Sequence, residues 1–95
     1  MRKLIITAIR LLREQSKVEA PEQRLYWSLL EQSIRDAFDP YTPLRDEARL
    51  WFVEDDGDHI VPFGLTVEAL GLDPAYVRSI LYQVNHRRIG TGGAR

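Results

Sequence analysis

Thr66-Val67-Glu68-Ala69-Leu70-Gly71-Leu72-Asp73-Pro74-Ala75-Tyr76-Val77-Arg78 carries the reading on which the fold turns, because a helix stop and a helix start are written side by side in it. Gly71 supplies the positive φ that a helix C-terminus needs, and Asp73-Pro74 supplies a capping carboxylate followed by proline at the first helical position. Val67, Leu70, Leu72, Val77 and Ile80 form the apolar set that such a pair would turn inward. Two short helices joined by a tight turn, at about residues 64–71 and 73–86, predict a helix-turn-helix.

Upstream, Leu4, Ile5, Ala8, Ile9, Leu11 and Leu12 fall on one side of a 3.6-residue period, with Lys3, Thr7, Arg10, Glu14 and Lys17 on the other. That spacing predicts an amphipathic helix over about residues 3–16. A second helix is expected from Pro21, with Glu22 near its positive end, to about Phe38 through Leu25, Tyr26, Leu29, Leu30 and Ile34. The two can pair antiparallel. Asp39-Pro40-Tyr41-Thr42-Pro43 then breaks the pattern, since the residue before each proline is pushed out of the helical region.

Thr42 is the expected cap and Pro43 the expected start of a third helix, with Leu44, Ala48, Trp51 and Phe52 inside and Arg45, Asp46, Glu47 and Arg49 outside. It ends in the acidic turn Glu54-Asp55-Asp56-Gly57-Asp58, and His59-Ile60-Val61-Pro62-Phe63 is a short apolar connector. Gly90-Thr91-Gly92-Gly93 reads as the start of a flexible tail. The expectation is an all-α fold: a compact bundle of about five helices with a C-terminal helix-turn-helix, in a single domain over residues 1–89, followed by a flexible basic tail over 90–95.

With 95 residues, 44% of them apolar, the chain suits one modest core. Cysteine is absent, which excludes disulfides and thiolate metal sites. The apolar run Leu4 to Ile9 is too short to span a membrane and lacks a small-residue cleavage site, so the expected location is the cytoplasm and no membrane partner is expected. Net charge is −1, but the ends are basic and the middle acidic. Residues 1–17 hold Arg2, Lys3, Arg10, Arg13 and Lys17 against Glu14, and residues 72–95 hold four arginines against Asp73. Basic ends beside a helix-turn-helix are the footprint expected of a DNA binder.

Little in the chain points to catalysis or metal. Glu54, Asp55, Asp56 and Asp58 are too closely adjacent for an EF-hand loop, which alternates its ligands. His59 reads as a turn residue and His86 as an exposed helix residue, in no zinc or triad spacing. A glycine-rich phosphate loop and a serine elbow are both missing, so no enzyme activity, cofactor or metal is expected. Trp27, Trp51, Phe38, Phe52 and Phe63 recur among aliphatic neighbours as core anchors, while Tyr41, between two prolines, is expected in solvent.

The second helix of the motif would bury Val77, Ile80, Leu81 and Val84, leaving Arg78, Ser79, Tyr82, Gln83 and His86 as candidate contacts to duplex DNA and Arg87 and Arg88 as phosphate anchors. Arginine pairs with guanine and glutamine with adenine, and hydroxyls meet phosphates, so the residue types suit the task. Asp73, at the helix start where donors are wanted, is assigned to capping.

Ala48-Arg49-Leu50-Trp51, then Asp55-Asp56, then Leu70-Gly71-Leu72-Asp73-Pro74 with Val77-Arg78, resembles a group of small bacterial and phage-associated helix-turn-helix proteins. Their shared pattern is A-R-x-W, an acidic pair, an aromatic connector and L-G-L-D-P-x-x-[VL]-R. The likeness covers about residues 48–78, and Val61-Pro62-Phe63-Gly64 departs from the usual Phe-Ser-Phe connector. The resemblance implies a phage or mobile-element setting and a regulatory role, and carries over no catalytic residue. Useful affinity would call for a homodimer or a larger partner, with the N-terminal helical pair as the expected dimer surface. Two alternatives remain. One is an adaptor that docks on a host machine such as RNA polymerase through Glu54, Asp55, Asp56 and Asp58; the other is a small phage assembly or packaging component.

Overall fold

A computed structural model of the chain describes residues 2–53 and 61–93, with side chains from Leu4 to Val53 and from Val61 to Asn85. Five helices follow in order: α1 (Arg2–Gln15), α2 (Pro21–Ala37), α3 (Arg45–Val53), α4 (Phe63–Ala69) and α5 (Pro74–Gly93). The architecture is all-α, with α2 packed most heavily on α3 and α4, and α1 lying against both α2 and α5. No helix among the described residues is long and apolar enough to cross a membrane.

The core is continuous from Ala8, Ile9 and Leu12 of α1 through Trp27, Leu30 and Ile34 of α2 to Val77, Ile80, Leu81 and Val84 of α5. Leu12, Leu30, Ile34, Phe63, Val67, Leu70 and Val77 are fully buried. Removing each of these side chains from water contributes roughly 1.5–3 kcal/mol, enough to hold helices that are too short to persist alone. All five predicted aromatic anchors are buried, and Tyr41 is 92% exposed.

Several positions differ from the periodic reading. Leu25 is 73% exposed, because it lies roughly 150° around α2 from the stripe through Trp27, Leu30, Ile34 and Ala37. Leu44 precedes the first turn of α3 and stays half in solvent. The helix begins at Arg45 and not at Pro43, and Thr42 closes the turn that precedes it, its Oγ1 accepting the Leu44 N–H at 3.2 Å. The last helix continues to Gly93, beyond the residue 86 boundary and through the glycines read as a tail. Once a helix is nucleated each further residue adds one backbone hydrogen bond, which offsets the roughly 1 kcal/mol that each glycine costs.

The stop between α4 and α5 is a Schellman motif. The Leu72 N–H reaches back to the Val67 carbonyl at 2.8 Å and the Gly71 N–H to the Glu68 carbonyl at 3.0 Å, with Gly71 at φ 72°. Val67 and Leu72, the pair expected to touch in this motif, are both buried. Two carbonyls still lack partners from the motif, and the α1–α2 corner supplies them. The Lys17 N–H donates to Leu70 O at 2.8 Å, and Gln23 Nε2 donates to Ala69 O at 3.4 Å. Gln23 Oε1 meanwhile accepts the N–H groups of Glu19 and Ala20, closing the start of α2.

A Cβ at Gly71 would meet only the flexible Lys17 side chain, at 3.4 Å, so the cost of substitution there is backbone strain. Gly71→Ala is expected to lower stability by about 1–2 kcal/mol in urea denaturation with an unchanged m-value. Gly71→Asn, which tolerates the left-handed region better, should lose less than the alanine variant.

Candidate nucleic-acid interface

α4, the Leu70–Asp73 turn and α5 form the helix-turn-helix unit. Pro74 opens α5, and Asp73 Oδ1 accepts the Ala75 N–H at 3.3 Å, so this carboxylate serves as the cap. The exposed Asp73 nonetheless sets a carboxylate at the start of α5, where a recognition helix would bring it near phosphate. Tyr76, in the same first turn, is half-buried and its hydroxyl accepts from Gln15 Nε2 of α1 at 3.2 Å.

The two sides of α5 are sharply different. Val77, Ile80, Leu81 and Val84 are buried, whereas Ala75, Ser79, Tyr82 and Gln83 are exposed, Tyr82 to 68%. Three of the predicted contacts, Ser79, Tyr82 and Gln83, therefore share one solvent-facing stripe. His86, Arg87 and Arg88 continue the same helix, and their side chains lie outside the described residues. Glu54, Asp55, Asp56 and Asp58 also lie outside them.

Arg78 is placed differently from Ser79, Tyr82 and Gln83. Its Nε donates to Phe52 O near the end of α3 at 2.7 Å, and its guanidinium stands 4.8 Å from the centre of the Phe63 ring. It is half-buried and turned to the body, because it flanks the apolar stripe of α5 where that stripe meets the ends of α3 and α4. Under it, Trp51, Phe52 and Phe63 pack edge to face, their ring centres 5.0–5.4 Å apart. Each such contact contributes about 0.5–1.5 kcal/mol beyond its buried area. Trp51 Nε1 donates to Val61 O at 2.7 Å, which fixes the approach to α4.

A parallel arrangement closes α2. Arg49, expected on the outer side of α3, donates from Nε to Ala37 O at 2.8 Å. Sequence reading missed the structural roles of Arg49, Arg78 and Gln23. An arginine at the edge of an apolar stripe next to an aromatic run was the available signal for the first two.

Two hollows adjoin these elements. One, of about 340 Å³, lies between the end of α2, α3 and α5, with an apolar wall of Phe38, Phe52, Val53 and Leu81 and with Arg49 and Arg78 among its polar lining. The other, of about 260 Å³, lies between α1 and α2. Among the described residues no group of three or more His, Asp or Glu side chains is arranged to hold a metal ion. Neither a protein-family model, nor a curated protein, nor a solved structure matches this chain.

Arg78→Ala removes a charge-assisted hydrogen bond and a ring contact together. The expected loss is about 2–3 kcal/mol of unfolding free energy, against less than about 0.5 kcal/mol for Ser79→Ala on the open stripe. Urea denaturation of both variants checks this, and equal, small losses would show that Arg78 is not a structural tie.

Proposed function

We propose that this chain is a regulatory protein that binds duplex DNA with α5. The observation that carries the reading is the stripe Ala75, Ser79, Tyr82 and Gln83, left exposed on a helix whose opposite side is buried and whose start is set by a Schellman turn. Gln83 has the donor and acceptor pair that matches adenine in the major groove, and the Ser79 and Tyr82 hydroxyls suit phosphate oxygens. His86, Arg87 and Arg88 extend the contact along the helix. Arg78 acts behind this surface, holding α5 at its angle to α3 and α4. One such unit reads only a few base pairs, so the reading includes a homo-oligomer, in the phage or mobile-element setting that the resemblance implies.

Fluorescence anisotropy on a random-sequence duplex at two salt concentrations tests it. Affinity should fall steeply as salt rises, and Arg87→Ala with Arg88→Ala should reduce the slope of log K against log salt by about 2. Absence of binding at low salt ends the DNA reading.

A second reading is favoured by the apolar hollow beside α5. Its polar lining is Arg49, Arg78, Asn85 and Tyr82, the last shared with the outer stripe, with no carboxylate among the described residues, which suits an apolar protein segment bearing an acidic side chain. Val53 is exposed at its edge and can be changed without opening the core. This surface is distinct from the acidic segment Glu54 to Asp58 through which the sequence reading has an adaptor dock. On this reading co-elution with purified RNA polymerase is expected, Val53→Glu abolishes it, and DNA binding is unchanged.

A further inference from the structure

The cleft between α1 and α2 gathers cations in a way that neither reading of α5 uses. Arg10 and Arg13 of α1 and Arg35 of α2 line it, over a floor of Ile6, Ile9 and Trp27, and Glu31 supplies its single carboxylate. Glu31 Oε2 already accepts from Arg35 Nη2 at 2.9 Å, so the cleft keeps a formal excess of two positive charges. Arg13 lies over the Trp27 ring, 5.8 Å from its centre, which holds this guanidinium at the cleft instead of leaving it to sweep through solvent. Among the described residues Arg10 has no hydrogen-bond or ion-pair partner, and it is exposed.

Size and charge together narrow the ligand. The cleft is small, about 260 Å³, and open, and its excess of two positive charges suits an anionic group. Guanidinium forks match phosphate oxygens in pairs, and a phosphate offers more oxygens to three arginines than a carboxylate does. We infer that the α1–α2 cleft is a phosphate-binding site, with Arg10, Arg13 and Arg35 as its ligands and Glu31 as the group a phosphate competes with for Arg35.

The site is separate from the α5 surface. Gln15, which meets Tyr76 of α5, lies roughly 150° around α1 from Arg10 and Arg13 at 100° per residue. The inference therefore stands whether or not α5 binds DNA. The phosphate can belong to a small phosphorylated molecule or to a nucleic-acid backbone, and the experiment separates these sources.

Inorganic phosphate is titrated into the ¹⁵N-labelled chain at matched ionic strength, following the guanidinium Nε signals of Arg10, Arg13 and Arg35 and the Trp27 indole. Saturable shifts at these groups are expected, with Arg10→Gln weakening binding about fivefold or more and Glu31→Gln tightening it severalfold as Arg35 is released. A purely structural Glu31–Arg35 pair would not give that gain. Shifts no larger than sodium chloride produces, or saturable shifts that neither variant moves, overturn the proposal. In a second arm a short duplex replaces phosphate. Shifts at the same three arginines assign the source to a nucleic-acid backbone, and their absence alongside a phosphate response assigns it to a small phosphorylated molecule. Arg87→Ala with Arg88→Ala serves as the control: it should alter duplex binding by α5 and leave the phosphate titration unchanged, so the two readings fail separately.

Discussion

The carbonyls left without intrahelical partners at helix C-termini are the constraint on which this structure depends. A buried carbonyl without a donor costs about 1–3 kcal/mol, a large share of the stability of a small domain. Local turns close part of each end, and at three of the helix ends the remaining closure comes from another element. Arg49 of α3 closes the end of α2, Arg78 of α5 closes the end of α3, and Lys17 and Gln23 of the α1–α2 corner close the end of α4. The helices have 7 to 20 residues, and at the short end helix propensity alone could not sustain them. Packing of the core brings them together, and these directional donors select the angles at which they meet. Hydrophobic burial has no direction of its own, so without the donors many crossings of comparable burial would compete.

The same accounting explains what the recognisable sequence pattern does. Ala48 is buried, Arg49 closes α2, and Trp51 both packs against Phe52 and Phe63 and pins the connector through Val61. In the second half Leu70 and Leu72 are buried, Gly71 makes the left-handed turn, Asp73 caps, Pro74 starts the helix, Val77 is buried and Arg78 closes α3. Every one of these residues is committed to the fold. These residues therefore serve the architecture, whereas Ser79, Tyr82 and Gln83 are exposed beside them and leave it untouched.

What could be read from the sequence was what local chemistry determines. A positive-φ glycine, a capping carboxylate before proline and a 3.6-residue apolar period each act within a few residues, and from them came five helices, the turn and the aromatic core. Long-range donors were not legible. Arg78 and Phe52 are 26 positions apart and Gln23 and Ala69 are 46 apart, and an arginine on the flank of a helix looks the same in sequence whether it meets solvent or a carbonyl. That ambiguity put Arg78 among the outward contacts, beside Ser79, Tyr82 and Gln83, which do face outward. It also hid the arginine cleft, whose members come from two helices and converge only when α1 packs on α2.

These placements constrain how α5 could meet a polyanion. Its exposed stripe in the first half is neutral, with the Asp73 carboxylate at its head, so that half offers hydrogen-bond geometry and little attraction. Attraction scales with the number of cations brought to phosphate, and a neutral helix face gains almost none of the counterion release that dominates affinity. An approach led by the N-terminal turn of α5, the arrangement of a recognition helix entering the groove end-on, would bring Asp73 to the backbone before any cation of that helix. An approach along the side of the helix, beyond Gln83, would present the hydroxyl and amide groups together with the arginine-bearing continuation of α5. The tie from Arg78 to α3 bears directly on this choice, because it joins the flank of α5 to the body and leaves the outer stripe open.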